Sequence, residues 1–99
     1  MSTRATVRIE DFTSEVSLTI VRDAAMGKVL GDIAKAQKDG QTAQQLADKL
    51  NSAEYMIEDK SDKTPDWFDF VYHIDLYKNR ICITCPYDAK FKRIVRMGD

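Results

Sequence analysis

The chain has 99 residues, 43% of them hydrophobic, which is enough for one domain (residues 1 to 99) with a single core and no need of covalent staples. Its 15 basic and 16 acidic residues leave a net charge of -1, so no whole-molecule field steers it toward nucleic acid or an anionic membrane. Met1-Ser2-Thr3-Arg4 lacks an apolar signal core, and no run approaches the roughly 18 apolar residues of a membrane span, so a cytoplasmic location is expected.

Residues 4 to 10 alternate Ala5, Val7 and Ile9 with Arg4, Thr6, Arg8 and Glu10, the period-two pattern of a strand with one buried face. Asp11-Phe12-Thr13-Ser14 supplies turn residues, and Val16, Leu18 and Ile20 then alternate with Ser17 and Thr19, completing a hairpin. The period changes after Asp23, a candidate N-cap. Met26, Val29, Leu30 and Ile33 form one stripe of a helix, with Gln37 continuing the spacing until Asp39-Gly40 stops it. Gly27 and Gly31 share a side of this helix and read as tolerated glycines near a packed strand. Thr42-Ala43-Gln44-Gln45 is a capping box opening a second helix, whose inner face is Leu46, Ala47 and Leu50.

A short strand is expected over 53 to 58, followed by the polar turn segment Asp59 to Asp66. Trp67 to Tyr77 is the longest alternating run, with Phe68, Phe70, Tyr72, Ile74 and Leu76 on one side and Trp67, Asp69, Val71, His73, Asp75 and Tyr77 on the other. Lys78-Asn79 reads as a two-residue turn, and Arg80 to Cys85 returns. This register sets Leu76 against Ile81, Ile74 against Ile83, Tyr72 against Cys85 and Asp75 against Cys82. From Pro86 onward, helix and strand are both open.

Cys82-Ile83-Thr84-Cys85 is a C-x-x-C, but on a strand residues three apart face opposite sides of the sheet. Cys85 is therefore expected in the core and Cys82 on the outer face, neither a zinc knuckle nor a redox motif at a helix N-terminus. Two closely spaced cysteines without an export signal suit a reducing compartment. His73-Ile74-Asp75 with Cys82 opposite is a weaker metal pattern. A lone histidine on a polar sheet face is more often solvated, and no metal or cofactor is expected.

Large apolar groups on the outer face of this hairpin suggest a protein contact, the competing possibility being that the C-terminal segment folds over it. Together with the acidic loop, this gives the candidate partner-binding residues Glu58, Asp59, Asp62, Asp66, Trp67, Asp69, His73, Asp75 and Tyr77. Lys90, Lys92, Arg93 and Arg96 are the candidate phosphate contacts of an alternative nucleic-acid reading, in which exposed aromatics would stack bases. No nucleophile elbow, phosphate-cradling glycine loop or catalytic triad order is present, so no enzyme is expected. Pairing of two copies through a strand edge stays open.

Thr3-Arg4-Ala5-Thr6-Val7-Arg8-Ile9 and Tyr72-His73-Ile74-Asp75-Leu76 resemble segments of small proteins from phages and prophages, which begin with a similar T-R-A-T strand and end with a similar hairpin. The glycine-proline turn that follows their second strand is replaced here by Val21-Arg22-Asp23-Ala24. The resemblance implies a mobile-element origin and action by binding a host protein or complex, as anti-CRISPR and other defence inhibitors do. The expectation is thus an α+β protein: an antiparallel sheet of about five strands, made of an N-terminal hairpin, two helices and three further strands, with the helices on one face.

Overall fold

The alternation of Ala5, Val7 and Ile9 forms β1 (Ala5–Glu10), with all three side chains fully buried, and Leu18 and Ile20 do the same for β2 (Glu15–Ile20). The structure is a computed structural model that describes residues 4–20, 24–38, 40–52, 55–58 and 68–96. The β1–β2 turn is organised by Asp11. Its Oδ1 accepts the backbone N–H groups of Thr13 at 2.8 Å and Ser14 at 2.7 Å, while Oδ2 accepts that of Ala43 at 2.7 Å. These donors, Ala43 foremost, hold the Asp11 carboxyl well below the usual carboxylate range. Ala43 opens a helix, so one side chain ties the hairpin turn to a helix N-terminus, where negative charge is favoured.

Helix α1 (Met26–Ala36) buries Val29 and Ile33, with Met26 and Leu30 at the margin. Its N-cap position is Ala25, which offers no side-chain cap; the expected cap Asp23 lies outside the described residues. The helix ends three residues earlier than the Asp39-Gly40 signal suggests. The Gln41 side chain donates to the Ala36 carbonyl at 3.2 Å and accepts the Lys38 N–H at 2.9 Å, satisfying the terminus from outside. Gly27 and Gly31 are exposed and a Cβ built on either meets nothing within 4 Å, so no packed strand explains them. Helix α2 (Ala43–Leu50) carries the expected capping box: Thr42 Oγ1 accepts from the Gln45 N–H, and the Gln45 side chain accepts from the Thr42 N–H.

The remaining strands are β3 (Tyr55–Glu58), β4 (Phe70–Asp75), β5 (Arg80–Cys85) and β6 (Asp88–Arg96). All six form one sheet in the order β3-β2-β1-β4-β5-β6. Every neighbouring pair is antiparallel except β1 and β4, which run parallel. The sheet thus has six strands instead of about five, because the segment after Pro86 is the edge strand β6. That strand lies beside β5 and does not fold over the outer face. Both helices lie on the inner face, α2 packing against β1 and β2 and α1 against α2, and the core joins Val7, Ile9, Leu18, Ile20, Tyr72, Ile74, Ile81 and Ile83 to Val29, Ile33, Leu46 and Leu50. Among the described residues, no helix is long and apolar enough to cross a membrane.

The hairpin register differs from the sequence reading by two residues: Tyr72 opposes Ile83, Ile74 opposes Ile81, and Cys82 opposes His73 instead of Asp75. The turn is four residues, Leu76 to Asn79, because the Leu76 N–H is drawn to the Glu10 carbonyl of the parallel neighbour at 2.9 Å, and Asn79 takes the left-handed conformation at φ 56°. A shift of two keeps every side chain on its original face, so the inside-outside assignment survives the wrong register. Cys85 does not face Tyr72. It pairs with Asp88 beside an irregularity at Thr84/Cys85, and like Cys82 it is a half-buried free thiol.

Candidate functional site

Among the described residues the helices lie on one face of the sheet, and the strand registers define what the other face presents. Glu15, Glu10, Asp75, Arg80 and Arg96 stand abreast across β2, β1, β4, β5 and β6. Next to them run Ser17, Arg8, His73, Cys82 and Ile94, and then Met56, Thr19, Thr6, Val71, Thr84 and Lys92. The first row passes from three carboxylates to two guanidinium groups, so this end of the face is dipolar. Exposed apolar groups mark its two edges, Met56 on β3 at 52% and Ile94 on β6 at 53%.

The acidic corner is the densest group of chemistry. His73 Nε2 lies 2.9 Å from Glu10 Oε1, and a ligand-type atom of Glu15 joins them with all three atoms within 4.8 Å of one another. Glu10 and Glu15 are direct cross-strand partners, a like-charge pairing that destabilises a sheet unless a cation offsets it. Asp75 flanks Glu10 in the parallel register and keeps a buried Oδ1 without a hydrogen-bond partner. Above this corner the tips of two turns meet: the Tyr77 and Phe12 rings lie 4.9 Å apart, with Phe12 86% exposed. Loss of hydration and then the negative field of Asp75 and Glu10 push the Tyr77 hydroxyl above its ordinary value.

Of the expected partner-binding residues, His73, Asp75 and Tyr77 come together here. Asp69 does not: at the far end of β4 its carboxylate accepts the Arg4 N–H at 3.1 Å and the Tyr87 hydroxyl at 3.3 Å, anchoring the start of β1. Glu58 ends β3, paired with Ser17 one strand outside Glu15, and Asp59, Asp62, Asp66 and Trp67 lie outside the described residues. The alternative basic set divides. Lys92 and Arg96 stand on the outer face, while Arg93, opposite Ile83, turns inward and its Nη1 approaches Met26 Sδ at 3.5 Å. Lys90 is exposed where β6 begins, its N–H donated to the Asp88 carboxylate at 3.1 Å.

Glu10, Glu15 and Phe12 were not singled out from the sequence. Alternation puts both glutamates on the outer face beside the first turn, so their pairing was legible. That His73 joins them depends on β4 lying next to β1. Elsewhere, a groove between α1, α2 and β3 holds Asp32, which accepts from Tyr55 Oη at 2.7 Å and Lys28 Nζ at 3.2 Å and is thereby committed to holding α1 on β3.

These observations define a class, an α+β protein with a six-stranded, mostly antiparallel sheet and a chemically asymmetric outer face. No family model, curated protein or solved structure matches the chain.

Proposed function

We propose that this protein is a non-enzymatic binding module that docks on another protein through the outer face of its sheet. One observation carries the reading: both helices cover the same face, and β6 extends the opposite face instead of covering it. Among the described residues that face is bare, with Met56 and Ile94 exposed and Val71 and Cys82 half-buried between them. A flat surface that combines apolar groups with separated acidic and basic ends has the composition of a protein interface. The acidic corner would meet a basic patch on the partner, and Arg80, Lys92 and Arg96 an acidic one. The grouped titratable residues sit on this open face and not in a cleft, which favours contact over catalysis.

The finer form of the proposal follows the resemblance at Thr3 to Ile9 and Tyr72 to Leu76: a mobile-element protein acting in the bacterial cytoplasm on a host protein or defence complex. The competing reading, single-stranded nucleic-acid binding, rests on Arg96 standing beside Arg80, with Lys92 further along the same edge strand on the same face. It is weakened by the three carboxylates on the same face and by the inward turn of Arg93.

An affinity pull-down from bacterial lysate, with and without nuclease, separates the two. A stoichiometric, nuclease-resistant protein that is lost from Met56→Asp with Ile94→Asp supports docking through the outer face. If that partner survives the double change but is lost from Asp62→Lys with Asp66→Lys, the loop is the contact instead. Enrichment that vanishes with nuclease, or with Lys92→Glu and Arg96→Glu alone, transfers the function to nucleic acid.

A further inference from the structure

We propose that Glu10, Glu15 and His73 form a binding site for one divalent transition-metal ion of the zinc type. Three adjacent strands each contribute one donor at the same end of the sheet. The geometry is close to that of a coordination shell: with bonds of about 2.0 to 2.2 Å, neighbouring ligand atoms around a four- to six-coordinate ion stand roughly 3 to 3.5 Å apart. The His73–Glu10 edge, at 2.9 Å, already has this length, and Glu15 lies within 4.8 Å on an exposed, rotatable side chain.

Two further features favour a cation at this position. Glu15, Glu10 and Asp75 stand side by side, and in the register Arg80 sits beyond Asp75, on the side away from Glu15. An ion between Glu10 and Glu15 removes the cross-strand repulsion that the like-charge pairing creates. The second feature is Asp75 itself, half-buried next to Glu10 and hydrogen-bonded to the Tyr77 hydroxyl, which adds a further negative charge beside the ligand pair. The imidazole donor selects zinc, cobalt or nickel over calcium and magnesium, which prefer all-oxygen shells of higher coordination number. Arg8, opposite His73, and Arg80, opposite Asp75, are cationic and hold the affinity below that of a site without them. A bound ion would fasten the β1–β2 hairpin to β4, joining strands distant in sequence.

The test uses the 15N-labelled full chain titrated with ZnCl2 and, separately, with MgCl2, followed by NMR. Zinc should bind one ion per chain, with the largest changes at the His73 imidazole and at the amides of Glu10 and Glu15, while magnesium should leave these signals in place. Glu15→Gln and His73→Gln should each weaken zinc binding by more than the roughly 10- to 100-fold that loss of an outer-shell partner costs. Their spectra without metal report whether the fold is kept. Cys82→Ser should bind as the parent chain does. Absence of zinc binding, unchanged affinity in either ligand variant, or loss of binding in Cys82→Ser would each overturn the site.

Discussion

Replacing Tyr72 by Phe removes one oxygen from the centre of the core and nothing else. The Tyr72 side chain has no solvent exposure, and its hydroxyl donates to the Ala24 carbonyl at 2.8 Å, Ala24 being equally inaccessible. Because Ala24 immediately precedes the N-cap of α1, this bond ties β4 to the entry of that helix. The net value of such a bond is about 1 kcal/mol, but removing only the donor leaves the buried carbonyl unsatisfied and raises the whole cost to about 1 to 3 kcal/mol when water cannot reach it. The ring remains, so no cavity term enters, and a loss of about 2 kcal/mol is expected. For a chain of this length that corresponds to a fall in Tm of roughly 8 to 16 °C. Urea unfolding followed by circular dichroism should show a lower midpoint with an unchanged slope.

Alkaline pH supplies a second readout. Burial pushes the Tyr72 hydroxyl far above its ordinary value of 10.0. Its protonated form is therefore the folded one, and its contribution is complete below that ordinary value and lost as pH rises toward the folded one. Stability of the parent chain should fall more steeply above pH 10 than that of Tyr72→Phe, since Tyr77 and Tyr87 are common to both. A loss below about 0.5 kcal/mol would mean that the Ala24 carbonyl finds another donor, and the anchoring role assigned to Tyr72 would fail.

Gly31→Ala should stabilise the protein by about 0.5 to 1 kcal/mol, measured by the same urea titration, because the position is helical and exposed and the new methyl group meets nothing. Thr42→Ala should cost about 1 kcal/mol through loss of the Gln45 N–H bond, seen as a lower thermal midpoint. Asp32→Asn should flatten the acid limb of the stability profile. Burial raises this carboxyl, but the bonds from Tyr55 and Lys28 outweigh it and leave the folded value below the ordinary 3.8. The stability it adds is thus complete above pH 3.8 and lost as pH falls below it, so urea midpoints of parent and variant should converge in acid.

Much of this protein is local in origin. Alternation at Ala5-Val7-Ile9 and Leu18-Ile20 specifies half-buried strands, and Thr42 with Gln45 closes a capping box across one helical turn. The same alternation marks the inner and outer faces of β4 and β5 correctly even though the register was read two residues out, because a side chain's face depends only on the parity of its position. The α1 boundaries were less legible, since the Gln41 side chain that satisfies its last carbonyl acts from beyond the helix.

The strand order was not available from local pattern. β3 takes the free edge of β2, and β4 takes the other side of β1 and runs parallel to it. That single choice draws the Leu76 N–H to Glu10, lengthens the turn to four residues, and moves Cys82 from Asp75 to His73. It also brings His73 to Glu10 and Glu15, which are 63 and 58 positions away in the chain. Periodicity records which side of a sheet a residue occupies, whereas neighbours within the sheet depend on long-range backbone pairing, and the acidic corner exists only through that pairing.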